Sequence, residues 1–141
     1  MTGNRQKILV IDDDPNIAKL IRFYLRSPEY IIDTAADGKQ GFQVAKNGVY
    51  DLLLLDMQMP NMDGMTFMKT ISDLPVFDSL IIVITAHDPD DQMMAQIEKN
   101  AFDYIQKPFT ANRLRLTIHN ALRHKTLQAK YTELIKSVIK G

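Results

Sequence analysis

Apolar residues along this chain fall into five short runs, separated by longer stretches in which they recur every three or four positions. The runs cover residues 7–11, 30–34, 52–55, 80–84 and 102–106. Each is short and rich in Val, Ile and Leu, which predicts a β-strand. The runs at 52–55 and 80–84 contain no polar alternation, so both faces of those strands should be buried. Such strands belong in the centre of a parallel sheet covered by helices.

The stretches between them predict helices long enough to serve as crossovers. Asp14-Pro15 is an N-cap followed by proline at the first helical position, and Ile17, Leu20, Ile21 and Tyr24 form the inward stripe. Asp37-Gly38 opens a second helix that turns Phe42 and Ala45 inward. Gly64 precedes a helix over 65–72, and Pro89 precedes one over 93–99. Thr110 caps a fifth helix whose inward residues include Leu114, Ile118 and Leu122. Strand and helix alternate five times, which argues for a doubly wound α/β fold.

The fifth helical pattern runs past a reasonable domain edge. Residues 124–140 hold neither Pro nor Gly. Within them Leu127, Tyr131, Leu134 and Val138 repeat at spacings of 4, 3 and 4, a two-heptad seam that Ile135 and Ile139 widen. The division expected is a domain over 6–123 and a helical extension over 124–141. That extension either pairs with a second copy, leads towards a further domain, or docks on its own domain.

Composition adds exclusions. There is no cysteine, so disulfides and thiolate metal sites are ruled out. No apolar run approaches the length of a membrane span, and the segment Met1-Thr-Gly-Asn-Arg-Gln-Lys7 lacks the apolar core of a signal peptide. A cytoplasmic location is expected. The zero net charge conceals an asymmetry: residues 111–141 carry seven Lys/Arg against one Glu, leaving the preceding residues at −6. The basic tail reads as a solvated helix face, and contact with nucleic acid or membrane is not expected of it.

The candidate chemistry lies where the apolar strands end. Asp12 and Asp13 follow the first, Asp56 the third, Thr85 the fourth and Lys107 the fifth. In a parallel sheet all of these fall at the carboxyl edge, where such folds bind ligands. Two carboxylates about 4 Å apart repel by roughly 4 kcal/mol at an effective dielectric near 20, so three at one edge call for a cation or a proton. Oxygen ligands without His or Cys suit Mg²⁺, with Mn²⁺ able to substitute. Mg²⁺ commonly works beside phosphate oxygens, and an Asp carboxylate can form an acyl phosphate. Asp56 is the nucleophile candidate, with Lys107 and Thr85 placed to satisfy phosphoryl oxygens.

The segments Ile8-Leu-Val-Ile-Asp-Asp-Asp-Pro15, Asp56-Met-Gln-Met-Pro-Asn-Met-Asp-Gly64, Ile82-Val-Ile-Thr-Ala86 and Lys107-Pro-Phe109 carry a further inference. Together, at their spacing, they resemble the receiver domain of bacterial two-component response regulators, over about residues 6–123. The resemblance implies a flavodoxin-like five-stranded parallel sheet of order 2-1-3-4-5 with five helices, the last of them extended here. It implies that Asp56 accepts a phosphoryl group from a sensor histidine kinase or a histidine phosphotransfer protein. Asp13, Asp56 and the backbone carbonyl of Gln58 would ligate Mg²⁺, with Asp12 acting through metal-bound water. Lys107 would contact the phosphoryl group, Thr85 and Tyr104 would form a switch pair, and Ala86 would keep the entrance small enough for the phosphoryl group to fit. Gln58 and His87 would flank the site, and the Lys107-Pro108 bond would be cis. A rival within the fold is a phosphatase with an aspartyl nucleophile. That chemistry wants an acid two residues beyond the nucleophile, where this chain has Gln58.

Overall fold

The computed structural model describes residues 5–140; residues 1–4, part of the segment read above as lacking a signal sequence, and Gly141 lie outside them. Five strands and five helices alternate: β1 (Gln6–Ile11), α1 (Pro15–Tyr24), β2 (Tyr30–Ala35), α2 (Gly38–Asn47), β3 (Leu52–Asp56), α3 (Gly64–Ser72), β4 (Leu80–Thr85), α4 (Asp91–Asn100), β5 (Asp103–Gln106) and α5 (Ala111–Lys140). All neighbouring strands pair in parallel, in the order β2-β1-β3-β4-β5. The expected fold and strand order are therefore observed. Boundaries differ in small ways. Phe102 stands just before β5 yet still donates its N–H to the Ile81 carbonyl at 2.7 Å, and Gly64 is the first residue of α3 instead of preceding it.

The pleat divides the apolar residues between two cores. Leu9, Ile11, Leu53, Leu55, Ile81 and Val83 face the layer of α2, α3 and α4, where Phe67, Met68, Ile71 and Ile97 meet them. Ile8, Val10, Leu52, Leu54, Ile82 and Ile84 face α1 and α5, meeting Ile21, Leu114 and Ile118. Every residue from Leu52 to Leu55 is fully buried, as an unalternating run on a central strand requires.

Four helices start on an aspartate cap. Asp14, Asp37, Asp63 and Asp90 each accept a backbone N–H from the first turn, at 2.8 to 2.9 Å. Each such cap contributes roughly 1 kcal/mol. Thr110 does the same for α5, taking the Arg113 N–H at 3.1 Å. These caps sort the aspartates of the sheet's carboxyl edge into those that start a helix and those left for chemistry.

The loop between β3 and α3 is braced from α2. Asn61 has a positive φ of 72°, and its Nδ2 donates to Asp37 Oδ2 at 3.0 Å. The α2 backbone comes close enough that a Cβ on Gly38 would lie 1.9 Å from the Met62 carbonyl oxygen. Gly38→Ala is expected to lower stability by about 1–3 kcal/mol in urea titrations, because backbone must move. An unaltered midpoint would show that this contact is slack.

The thirty residues of α5 form one helix roughly 45 Å long. Its first half packs on the sheet through Leu114, Thr117, Ile118, Ala121 and Leu122, all buried. From Thr126 onward every residue is exposed. The extension does not dock on its own domain: it leaves the sheet behind and keeps its apolar side chains in solvent.

Candidate functional site

The parallel sheet carries every strand to the same edge, and the site forms where β1, β3, β4 and β5 stop. Asp12 follows β1 directly, Asp56 is the last residue of β3, Thr85 the last of β4, and Lys107 the first after β5. Backbone bonds tie these endings together. Asp12 N–H reaches the Ala35 carbonyl at 3.1 Å, Met57 N–H the Ile84 carbonyl at 3.1 Å, and Lys107 N–H the Thr85 carbonyl at 2.8 Å. The site is thus built on strand ends, which hold side chains more firmly than free loops do.

One carboxylate oxygen from each of Asp12, Asp13 and Asp56 lies within 4.8 Å of the other two. Asp12 and Asp56 are buried, whereas Asp13 is exposed. Lys107 Nζ donates to Asp12 Oδ2 at 3.3 Å and stands 3.7 Å from Asp56 Oδ1. Asp12 also accepts the Asp14 N–H at 2.9 Å, so one carboxylate anchors both the start of α1 and the lysine. Asp56 accepts the Gln58 N–H at 3.3 Å.

These surroundings act on Asp56 unequally. Burial is the largest influence, and with the neighbouring Asp12 it pushes the Asp56 carboxyl up to about 6. The Gln58 N–H and the Lys107 ammonium pull in the opposite direction without cancelling the rise. A carboxylate only 5 % exposed, facing two like charges, is short of cationic neighbours. Among the described residues, one lysine stands in ion-pair range of the cluster, and it reaches two of the three acids. The cluster offers only carboxylate oxygens, the hard donors that suit Mg²⁺.

The other expected residues surround this cluster without all pointing into it. Thr85 is buried, but its hydroxyl donates to the His87 carbonyl at 2.9 Å and accepts the His87 N–H at 3.3 Å. Its oxygen is thus engaged by the turn after β4. Tyr104 is half-buried beside the core layer of α2, α3 and α4. Gln58, Ala86, His87 and Pro108 are exposed on the rim, and the Lys107-Pro108 bond is cis. Leu127, Tyr131, Leu134 and Val138 lie on the α5 extension, which runs from the opposite end of the sheet.

Two features of the site were missed in the sequence. Gly64 lets α3 begin against the end of β3: a Cβ there would come 2.9 Å from the Asp56 carbonyl oxygen and 2.7 Å from Met57 Cα. The available signal is Gly64 itself, which the pattern places only ahead of a helix. The Asn61–Asp37 brace was the second, and the Pro60-Asn61 turn pair was its only trace.

A doubly wound sheet with an acid cluster and a lysine at its carboxyl edge defines a regulatory receiver architecture. The family model of the response regulator receiver domain matches residues 8–119, and the chain belongs to that family, which works in two-component signalling. Among curated relatives, the response regulator ArlR of Staphylococcus saprophyticus is 35% identical over 119 residues, 84% of this chain and 53% of that protein. The chain spans about half the length of the curated relatives it matches. A response regulator receiver domain from Clostridium thermocellum superimposes with a TM-score of 0.77 at 32% identity, over 87% of this chain and 98% of the other. The receiver domain of a sensor histidine kinase from Pseudomonas aeruginosa PAO1 gives 0.75 at 28% identity, over 84% and 98%; its structure holds a magnesium ion in the active-site cleft.

Proposed function

We propose that Asp56 accepts a phosphoryl group from a phosphohistidine of a sensor histidine kinase or histidine phosphotransfer protein, in the cytoplasm, and that the domain changes its α4, β5 and α5 surface in response. The observation carrying this reading is the meeting of Asp12, Asp13 and Asp56 within 4.8 Å, with Lys107 Nζ 3.7 Å from Asp56. Asp13, Asp56 and the Gln58 backbone carbonyl would hold Mg²⁺, or Mn²⁺ in its place, and Asp12 would act through bound water. Bound there, the ion supplies positive charge to the acids and to the transferring group's oxygens.

An ionised Asp56 oxygen attacks phosphorus; the bond from phosphorus to the donor imidazole breaks, and its electron pair leaves with that nitrogen. With a pKa of about 6, Asp56 is largely ionised at neutral pH and ready to attack. Lys107 faces the developing charge on a phosphoryl oxygen. Ala86, small and exposed, would hold the entrance to the size of a phosphoryl group, while Gln58 and His87 stand where they would govern the approach of water to the product.

The response begins at Thr85. Its hydroxyl is held by the His87 backbone at 2.9 and 3.3 Å. A phosphoryl group competes for that hydroxyl, and its departure frees space beside β4 into which Tyr104 can turn. The equilibrium between the two arrangements is thereby biased by a local charge. Beryllofluoride with Mg²⁺ should change the Tyr104 ring resonances; an unchanged ring environment would remove the switch.

The chemistry is tested by mass spectrometry after incubation with acetyl phosphate and Mg²⁺. One added phosphoryl group is expected, and none on Asp56→Asn. Equal labelling of that variant would place the acceptor elsewhere.

A further inference from the structure

Among the described residues, the second half of α5 carries an uncovered apolar face, and its position on the helix says what can cover it. Leu127, Tyr131, Leu134 and Val138 are 58 to 68 % exposed. At 100° per residue they lie on a face turned roughly 140° from the buried residues Leu114, Ile118 and Ala121 of the same helix. The sheet therefore lies on the wrong side to reach them. The same face continues upward through Leu116, which is 56 % exposed on the domain itself. An isolated helical stretch of about 15 residues is marginal in water, so this half of α5 needs a partner surface.

We propose that this face pairs with the same face of a second copy, as a parallel two-stranded coiled coil that sets two receiver domains side by side. Spacings of 4, 3 and 4 are those of a coiled-coil seam, with Leu127 and Leu134 at one core position and Tyr131 and β-branched Val138 at the other. Leu at both first positions with β-branched Val138 at one of the two second positions favours two parallel strands. The flanking positions hold Gln128, Lys130, Ile135 and Ser137, only one of them charged. In parallel register Lys130 faces the second copy's Ile135, so its aliphatic stem covers an apolar neighbour and no like charges meet. The parallel arrangement is also the one that brings Leu116 of both copies to the same side. The seam covers on the order of 500 Å² per copy, near the lower limit of specific interfaces. The pair is accordingly a concentration-dependent one, micromolar or weaker.

Sedimentation equilibrium on the full chain, over roughly 5–500 µM, tests the pairing. The expected result is a dimer that dissociates on dilution and whose dissociation constant rises at least tenfold in Leu134→Glu, with the circular dichroism of the folded domain retained. A wild type that remains monomeric throughout overturns the proposal, and so does a Leu134→Glu variant that dimerises as the wild type does. Orientation is read from Val138→Cys, since the chain has no other cysteine. In parallel register residue 138 meets its counterpart, and oxidised glutathione should link the two chains. A dimer sensitive to Leu134→Glu but not linked through Cys at 138 overturns the parallel arrangement.

Discussion

Asp56→Asn is expected to stabilise the metal-free domain by about 2 kcal/mol at pH 8 and to leave it almost unchanged at pH 4. The reason is the cost of keeping an ionised Asp56 beside Asp12 in a buried site. An unfolded aspartate titrates near 3.9, whereas the folded Asp56 titrates at about 6, raised first by burial and next by Asp12. Between those values the folded protein holds a proton that the unfolded chain has already lost. Stability therefore falls as pH rises through this window and stays reduced above it. Two units of displacement correspond to roughly 3 kcal/mol at most, and an amide that keeps the Gln58 N–H contact recovers most of it. Urea titrations in chelator at both pH values measure the difference. Millimolar Mg²⁺ should then raise the wild type more than the variant, because binding to the folded state alone stabilises it by mass action. A variant no more stable than the wild type at pH 8 would show that the acids do not crowd one another.

That crowding was legible in the sequence for a physical reason. Parallel strands all end at one edge, so a polar residue closing an apolar run can be placed there without knowing any loop. Asp12, Asp56, Thr85 and Lys107 are all of this kind. What the pattern does not carry is side-chain direction and loop backbone. Nothing in the sequence tells that the Thr85 hydroxyl is occupied by His87, because that bond depends on the turn after β4. The Asn61 brace escaped for the same reason: its positive φ and its reach to Asp37 depend on how α2 is set against the β3–α3 loop, 24 residues away. The α5 seam shows both sides of this. Its spacing is plain in the residues, but its separation from the domain became visible only once the buried face of the same helix was known.

Lys107→Met is expected to slow phosphorylation of Asp56 by roughly 100- to 1,000-fold in saturating Mg²⁺, the usual cost of removing one donor aimed at developing charge. The substitution is chosen because methionine keeps the aliphatic stem and the backbone N–H that binds Thr85, and removes only the ammonium. Two consequences follow from where that ammonium sits. It lies 3.3 Å from Asp12 and 3.7 Å from Asp56, and among the described residues it is the cation in ion-pair range of the cluster. Its removal takes away an influence that lowers the Asp56 pKa, so the carboxyl should rise further and the residual reaction should require a higher pH. The acids themselves remain, so Mg²⁺ should still raise the melting temperature of the variant. Mass-spectrometric time courses with acetyl phosphate, taken across pH 5 to 9, separate these effects. A slow reaction whose pH profile moves upward, in a protein still stabilised by Mg²⁺, is the signature of a lysine that both steadies the nucleophile and receives phosphoryl charge. Rates equal to the wild type would deny Lys107 either part, and a slow reaction in a protein no longer stabilised by Mg²⁺ would assign it to holding the acid cluster together.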